Sequence, residues 1–599
     1  MAKKNRPPKK TYSSSPSLWA GLAKLTESFL HPHPAEDQWR FLPHFLAAAF
    51  VLRALVALLG DFVIHPDEIM QYLEPAHKQV FGSGVTYWEY FYGARSWLVP
   101  GLVAGMLWLC QAVGLDSPIY YIAAVKLLFC LLSLLVPWGM YVFARHHWHE
   151  RTARMALVLG VFWYELVGFA HKPMTEFVAT SLIFLLLAIS PMAAASAEKR
   201  PMRAALVGLL GALIVAIRFQ YAPAVALILL AEFLLQRSYG RVSLMIGALF
   251  MVAVVGALEW ATWGAPFHSY YINYQMNVIV GAYRGGESSI WQFPLWMLTA
   301  SLGLVGVAVW AAITRWRRRG FVVVLMLLIL LPHMMQNHRE YRFIFVAIPL
   351  WLLLFADFFA TAIADLRHRE KQKLYTAGVF ALPALLSLLG IFNQLPWQQT
   401  VYTGFSLETG KTNFIIGQDP VFSIYRNLSA DSATRGILDS SRPYFNTGGY
   451  YYLHRDIPFY DASSWRGIFD VGEANDYVSH IITRGPLSPV RAGANQRGEA
   501  ILETKEGVLR LPAFVYDKDT EELTYWNARG RRVVLGDYGL AEQSGYLTVW
   551  KSKTDNKVRT WQNFSPIAAG GLEDVMRRIM GNDAKKPPQN YGIRFKDDN

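Results

Sequence analysis

Residues Ile64–Pro100 read IHPDEIMQYLEPAHKQVFGSGVTYWEYFYGARSWLVP and follow the first long apolar segment of the chain. This stretch interleaves carboxylates, histidines and an arginine with tyrosine and tryptophan side chains. Carboxylates flanked by aromatic rings at the mouth of a membrane bundle suit a site that binds a polyol and removes a proton. The alternative is a solvated loop in which Asp67 caps a helix and the aromatic rings anchor the chain at the membrane interface. Composition alone does not separate these two interpretations.

The whole chain has the composition of a membrane protein with a soluble part. It has 599 residues, of which 53% are hydrophobic and only 17% charged, and it exceeds the length of one ordinary domain. The net charge of +13 lies mostly in the N-terminal tail and in short loops, so membrane orientation explains it better than nucleic-acid binding, which we do not predict. The two cysteines, Cys110 and Cys130, lie in apolar segments, which favours neither a disulfide framework nor a zinc site.

The loops between the apolar runs divide by charge. Loops 145–154, 197–203, 237–241, 315–319 and 367–373 are strongly basic, and positive loops stay in the cytoplasm. Placing them there, with the basic N-terminus, puts the opening stretch and everything after about residue 396 on the other face, provided that run 96–114 makes no net crossing. The twelve runs are approximately 41–60, 96–114, 119–144, 155–170, 174–192, 203–218, 222–236, 242–260, 293–314, 321–336, 342–363 and 375–394.

Composition also divides the chain into parts. Residues 1–40 predict a basic, disordered cytoplasmic tail, and 41–395 predict an all-α transmembrane domain of about 11–13 helices, with 61–95 as its first external loop. After 396 the apolar runs end and short alternating stretches appear, which predicts a soluble mixed α/β domain over 396–580 on the non-cytoplasmic side. Residues 581–599 predict a disordered tail.

Two blocks of sequence resemble glycosyltransferase family 22, the polyprenyl-phosphate-mannose-dependent mannosyltransferases of N-glycan and GPI-anchor assembly. The first block contains HPDE (65–68), EPAH (74–77), TYWEY (86–90) and RSWLVP (95–100). The second, HREYRFI (338–344), is similar to the family's late H-K-E-x-R-F-I segment. The resemblance covers about 41–395 and is nearest to GPI mannosyltransferase 3 and the N-glycan mannosyltransferases. Arg339 replaces a frequent lysine and Tyr90 a frequent tryptophan, while beyond 396 only 440–454 is loosely similar.

The resemblance implies a GT-C fold with its active site on the non-cytoplasmic face. It implies a polyprenyl- or dolichyl-phosphate-mannose donor, a glycolipid or lipid-linked glycan acceptor, surrounding membrane lipids, and transfer with inversion to an α-mannosidic linkage. No cofactor and no metal is expected. Such a reaction needs a base for the acceptor hydroxyl and cations for the departing phosphate. We predict Asp67 as the base, with Glu68 orienting sugar hydroxyls or serving as the base if Asp67 is structural.

The remaining candidates are predicted to bind substrate. For the phosphate we favour Arg342, with Arg339 and His338 nearby, because arginine can grip a phosphate through two hydrogen bonds; Arg218 and Lys172 are second choices. A basic residue at a helix end also commonly snorkels or caps, and Glu89 also suits a simple ion pair with Arg95. The other predicted substrate-binding residues are His65, Glu74, His77, Trp88, Glu89, Arg95 and Glu340.

Other functions remain open at this stage. A related transferase could use a polyprenyl-phosphate glucose or pentose. A transporter or flippase would predict inverted repeats and polar groups at mid-membrane, whereas the polar groups here gather at one face. A structural scaffold would leave the two matching blocks unexplained. For the compartment, the low cysteine count favours a bacterial inner membrane, with the endoplasmic reticulum membrane as the alternative.

Overall fold

A computed structural model describes residues 41–190, 200–279, 289–336, 338–366, 368–392, 395–396, 419–442, 447–461, 478–485, 489–494, 500–505, 507–510, 513–526, 530–554, 561–564 and 592–595. The predicted tail 1–40 lies outside these residues, as does most of the predicted tail 581–599, apart from one short strand. Helices dominate the first two thirds of the chain, and strands dominate the remainder.

Every predicted apolar run forms helix. The helices are α1 Leu42–Leu59, α2 Glu74–Phe81, α3 Trp88–Phe91, α4 Leu98–Ala112, α5 Pro118–Ser133, α6 Leu135–His147, α7 Glu150–Phe162, α8 Tyr164–Gly168, α9 Thr175–Ile189, α10 Arg200–Ile217, α11 Ala222–Leu235, α12 Ser238–Trp263, α13 His268–Tyr274, α14 Gln292–Ala300, α15 Leu304–Thr314, α16 Trp316–Met334, α17 Ala347–Ala364, α18 Arg369–Ile391, α19 Pro420–Ala430 and α20 Gly449–Leu453. The fold is therefore that of a multi-pass helical membrane protein.

The helices are less regular than the apolar runs suggest. By length and composition, five helices of the described chain are able to span a membrane, or six if the bent pair α14 and α15 counts as one span. This count is below the predicted 11–13 because α14 and α15 meet at 107° and because α4, α9, α10 and α11 are short. In addition, α16 begins with a run of arginines, and the run 155–170 is broken at Trp163.

Close helix contacts position the bundle. Helices α10 and α12 approach through Gly208 and Gly247, since a Cβ atom at either glycine would collide with a backbone carbonyl of the other helix, at Leu244 and Ala205 respectively. Near the predicted cytoplasmic end, the buried Asp357 of α17 accepts hydrogen bonds from Arg318 at 2.8 Å and from Arg319 at 2.5 Å. A buried carboxylate needs such charged partners, and these tie α16 to α17.

The C-terminal part contains several small sheets. Strands β1 Ile437–Asp439, β2 Phe459–Asp461, β3 His480–Arg484, β10 Tyr538–Ser544 and β11 Leu547–Ser552 form one sheet in the order β10-β11-β3-β1-β2. Within it β1 is parallel to β2 and β3, with Ile437 opposite Phe459 and His480, and β11 is antiparallel to β3. The other strands pair locally and are β4 Pro489–Ala494, β5 Ala500–Thr504, β6 Gly507–Arg510, β7 Ala513–Asp517, β8 Glu522–Trp526, β9 Arg532–Val534, β12 Trp561–Phe564 and β13 Gly592–Phe595.

The C-terminal part packs directly on the membrane helices. Val421 and Phe422 of α19 and Tyr450 of α20 belong to the same apolar core as the bundle. The combination of a helical bundle with a mixed α/β part, predicted from the sequence, is thus present. The division at residues 395 and 396 and the naming of two separate domains remain predictions, because the buried core runs across the junction.

Candidate active site

The opening stretch folds as a compact cap of short helical pieces between α1 and α4. Glu68–Leu73 forms a wide, π-helical turn that continues directly into α2. Pro75 is accommodated because it lies in the first helical turn, where its missing N–H is not needed. Helix α2 ends at Gly82, whose φ of 82° is the left-handed conformation that glycine adopts readily. The chain then turns back through α3 toward the membrane helices.

The two sequence blocks meet in this cap. Arg342 lies in the short 3₁₀ turn Tyr341–Ile344, and its Nη2 donates to Oδ2 of Asp67 at 2.7 Å. The Nε of Arg342 donates to Oε2 of Glu340 at 2.5 Å. His65 lies between the two carboxylates, with Nδ1 3.4 Å from Asp67 and Nε2 3.4 Å from Glu340. His338 Nε2 lies 2.5 Å from the other oxygen of Glu340. We call His65, Asp67, His338, Glu340 and Arg342 the carboxylate cluster.

The charges of the cluster hold its acids in the ionised form. Burial alone would raise the pKa of Asp67, but the His65 and Arg342 side chains outweigh it and hold the pKa well below its ordinary value. Burial likewise acts upward on the pKa of Glu340, and Arg342, His338 and His65 lower it overall. The side chain of Asp67 is 23% exposed, so this carboxylate remains accessible to a substrate hydroxyl.

Glu176 is a member of the site that the sequence did not single out. It lies in the first turn of α9, fully inside the protein, and its Oε1 is 3.0 Å from Arg218 and 3.3 Å from Arg342. One carboxylate therefore joins two of the predicted phosphate-binding arginines. Its position in an apolar helix directly after the polar loop at 171–173 was an available signal, because ionisable residues in such helices are usually paired or functional.

A cleft with an empty volume of about 670 Å³, including its open mouth, is connected to the carboxylate cluster, because its lining residue Arg218 shares Glu176 with Arg342. Arg95 and Arg218 line it, and Thr175, adjacent to Glu176, forms part of its wall. The other lining residues combine hydroxyl, amide and apolar groups and are Gln71, Tyr72, Tyr90, Ala94, Ser96, Leu98, Val99, Pro100, Ala216, Ile217, Phe219, Gln220, Ser269, Tyr270 and Asn273. Two guanidinium groups above the apolar ends of α4 and α10 suit a ligand with an anionic group and a lipid chain.

Glu89 lies behind this cleft. Its side chain is almost fully buried; Oε1 accepts a hydrogen bond from Gln71 at 3.2 Å and lies 3.9 Å from Arg95. Its Oε2 is buried without a hydrogen-bond partner among the described residues. Burial raises the pKa of Glu89 to about 7, although Arg95 partly opposes this. Glu89 thus does form the predicted contact with Arg95, but a loose one.

The structure places several other predicted site residues outside both the cluster and the cleft. Glu68 receives hydrogen bonds from the Ile64 amide and from Lys172, at 3.1 Å each. Glu74 accepts hydrogen bonds from the Val85 and Tyr451 amides, and His77 contacts the Ser83 carbonyl and the His454 side chain. The partly buried Trp88 packs against the small apolar cluster formed with Tyr92 and Ile272; the remaining candidate, Arg339, donates to the carbonyl oxygen of Met334 at 2.7 Å. Their assignment to substrate binding remains a prediction.

Comparison with known proteins identifies the family. The model of the Alg9-like mannosyltransferase family, glycosyltransferase family 22, matches residues 44–425. The chain belongs to this family, which confirms the resemblance drawn from the two sequence blocks. The matched region includes the whole carboxylate cluster and extends beyond α18 into α19.

Individual relatives match over short segments. The chain is 42% identical over 81 residues to mannosyltransferase APTG1 of Arabidopsis thaliana, covering 14% of this chain and 15% of that protein. It is 31% identical over 123 residues to GPI mannosyltransferase 3 of Drosophila melanogaster, covering 20% and 21%. The chain thus aligns with less than a quarter of the length of these relatives.

Among solved structures, ArnT from Cupriavidus metallidurans bound to undecaprenyl phosphate matches with a TM-score of 0.49 and 12% identity, covering 75% of this chain and 94% of that one.

Proposed function

We propose that this protein is an inverting mannosyltransferase that moves mannose from a polyprenyl-phosphate-mannose donor to a hydroxyl of a glycolipid or lipid-linked glycan. The observation that carries the proposal is the contact of Asp67 with Arg342. These residues belong to the two family-like blocks and lie 2.7 Å apart in a partly exposed cluster beside a cationic cleft. Family membership supports the reaction class.

Asp67 is proposed as the general base. Its carboxylate takes the proton of the acceptor hydroxyl while the acceptor oxygen forms a bond to the anomeric carbon of mannose. The bond between that carbon and the phosphate oxygen breaks, and the lipid phosphate leaves with the electron pair. Attack from the side opposite the phosphate converts a β-linked donor into an α-mannoside. His65 and Arg342 orient Asp67, since both contact its carboxylate oxygens.

The cleft is proposed to hold the donor phosphate. Arg342 is engaged by Asp67, Glu340 and Glu176, whereas Arg95 and Arg218 line the open cleft. A phosphate bound there would lie at the depth of the lipid headgroups, with its chain along the ends of α4 and α10. Glu176 would link the phosphate site to the base, because it contacts both Arg218 and Arg342. This arrangement favours Arg218 over Arg342 as the principal phosphate ligand.

The cluster and the C-terminal part are proposed to lie on the non-cytoplasmic face of a bacterial inner membrane, with the endoplasmic reticulum membrane as the alternative. Asp67, in the opening stretch, and the C-terminal part share one face of the charge-based arrangement. The exposed Lys518 reports on this face, because both natural cysteines are buried. A membrane-impermeant maleimide should label Lys518→Cys in intact spheroplasts, and labelling only after permeabilisation would refute this orientation.

The transfer itself is tested with purified protein. Polyprenyl-phosphate-mannose, -glucose and -pentose are offered separately with a glycolipid extract of the source membrane, and the product is digested with an α-mannosidase. We expect transfer from the mannose donor alone and a product that the α-mannosidase cleaves. Transfer from glucose or pentose alone would contradict the proposed donor, and a product resistant to α-mannosidase would contradict the proposed inversion.

A further inference from the structure

The C-terminal segment Gly449–His454 docks on the opening loop through directed polar contacts. Nε2 of His77 lies 2.9 Å from Nδ1 of His454, and the Tyr451 amide donates to Oε2 of Glu74 at 3.2 Å. The Tyr452 hydroxyl donates to Oδ1 of Asp61 at 2.8 Å, and the carbonyl of Tyr451 accepts a hydrogen bond from the Tyr121 hydroxyl. The segment is buried, with Tyr450, Tyr451 and Tyr452 all in the common core.

The side chains of Glu74 and His77 also form hydrogen bonds within the opening loop. The Val85 amide donates to Oε1 of Glu74 at 3.0 Å, and Nδ1 of His77 lies 2.8 Å from the carbonyl oxygen of Ser83. Glu74 therefore joins one backbone amide of the loop to one of the C-terminal segment. Residues 83–85 lead directly into α3 and then to Arg95, so the loop that supplies the cleft wall starts from these two contacts.

The geometry fixes the direction of the histidine contact. A carbonyl oxygen only accepts, so Nδ1 of His77 donates to Ser83, and Nε2 of the neutral ring must accept from Nδ1–H of His454. Burial, assisted by the neighbouring His454, lowers the pKa of His77 to about 3, which keeps the ring neutral. His454 has a φ of 47°, a left-handed conformation that is uncommon outside glycine, although asparagine, aspartate and histidine adopt it more often than other residues. The chain thus adopts a rare backbone conformation at the residue that reaches His77.

We propose that Gly449–His454 is a positioning element for the donor cleft: by holding Glu74 and His77 it fixes the course of residues 83–95 and therefore the placement of Tyr90 and Arg95. This inference rests on the proposed function only for the identity of the ligand. It assigns to the C-terminal part a direct role in completing the cleft. It also gives Glu74 and His77 a positioning role in place of the predicted contact with substrate.

Three substitutions at His454 separate the side-chain contact from the backbone conformation. Asparagine tolerates the left-handed conformation, and its amide can donate in place of Nδ1. Glycine suits the left-handed conformation but removes the contact with His77. Alanine removes this contact as well and also disfavours the left-handed conformation. We expect His454→Asn to behave nearly as wild type. His454→Gly should raise the KM for polyprenyl-phosphate-mannose by about five- to tenfold, the loss expected for one buried hydrogen bond, with a smaller change in kcat. Arg455→Ala is the matched control, because the hydrogen bonds of Arg455 within the described part of the chain go to carbonyl groups of the C-terminal part.

A second measurement does not depend on activity. Hydrogen exchange of the full-length protein in detergent should show faster exchange at Val85 and its neighbours in His454→Gly, and wild-type exchange in His454→Asn and Arg455→Ala. If His454→Gly does not fold, Tyr452→Phe, which removes only the hydroxyl donated to Asp61, replaces it and should show the same pattern more weakly. Unchanged exchange over 83–95 in the folded variant would overturn the positioning role. Absence of transfer by wild-type protein would instead refute the proposed function and leave the exchange result to decide this inference.

Discussion

Two carboxylates of the opening loop, Asp67 and Glu74, have different surroundings. Asp67 pairs with side chains and is partly exposed, and Arg342 and Glu176 link it to Arg218 of the cleft. Glu74, one helical segment later, is fully buried, and its two oxygens accept hydrogen bonds from the backbone amides of Val85 and Tyr451. A carboxylate that accepts from backbone amides on both oxygens has a structural role, whereas an accessible carboxylate beside an arginine is available for chemistry. The high density of polar residues in this stretch of sequence does not distinguish a structural carboxylate from an accessible one.

The largest expected effect comes from exchanging the two acids for amides. Asp67→Asn should lower kcat by about 10²–10⁴-fold, because the amide keeps the shape but cannot take the acceptor proton. Glu74→Gln should mainly lower the thermal unfolding temperature, because its NH₂ group would face a backbone N–H. Steady-state transfer kinetics and thermal unfolding in detergent, measured on both variants, check this contrast.

Asp365, which is exposed directly after the C-terminal end of α17, supplies the matched control for Asp67→Asn. Asp365→Asn should leave both kcat and the unfolding temperature unchanged. If Asp67→Asn keeps more than about a tenth of the wild-type rate while it folds normally, Asp67 is not the base. Glu68 would then be the next acid to test, after its pairing with Lys172 is taken into account.

The next effect concerns the charge that holds Asp67. Removing the guanidinium in Arg342→Gln should lower kcat/KM by about ten- to a hundredfold at pH 8, since hydrogen bonds to charged groups contribute about 1.5–3 kcal/mol. The loss should be greater at pH 5. Burial raises the pKa of Asp67 and Arg342 opposes it, so without Arg342 the carboxylate takes up a proton at a higher pH and ceases to act as a base. Arg342→Lys should recover part of the activity. A pH–rate profile whose acid limb does not move toward higher pH in Arg342→Gln would contradict this role.

A smaller effect is expected in the cleft. Arg218→Ala should raise the KM for the lipid-linked donor by about tenfold, since it removes one charged hydrogen-bond donor, and should change kcat less than Arg342→Gln does. Arg237→Ala, at an exposed position of the basic loop 237–241, should leave the KM unchanged. An unchanged KM in Arg218→Ala would indicate that the donor phosphate binds to Arg342 instead, the first choice from the sequence.

The sequence predicted the family, the helical membrane part and the mixed C-terminal part, because hydrophobic runs report burial in lipid directly. His65, Asp67, Glu340 and Arg342 were singled out because they belong to two distinctive blocks, and the structure brings them together, while their roles in catalysis and binding stay predictions. The sequence missed Glu176, whose importance comes from a three-dimensional contact with Arg218 and Arg342. It also missed the contact of Gly449–His454 with the opening loop, because no local pattern indicates that a segment more than 370 residues away binds Glu74 and His77.

The final prediction uses thermal stability to test whether Glu89 is a buried structural acid or an ion-paired acid like those of the carboxylate cluster. Glu89 is buried with a pKa raised to about 7 from an ordinary value of 4.5. Its folded form therefore binds a proton more tightly than the unfolded chain, so its contribution to stability is greatest below pH 4.5 and is lost as the pH rises toward 7. The full difference corresponds to about 3 kcal/mol.

Glu89→Gln removes this titration and keeps the shape of the side chain. We expect its unfolding temperature to exceed that of wild type at pH 8 and to match it near pH 5, measured by thermal unfolding in the same detergent. Glu370→Gln, at a largely exposed position where the side chain pairs with Lys373, should follow the wild type at both values. A Glu89→Gln variant that loses stability equally at both pH values would show that the carboxylate is held charged by Arg95. Glu89 would then belong with the ion-paired acids of the cluster, and its unpartnered oxygen would be positioned to accept a hydrogen bond from the sugar.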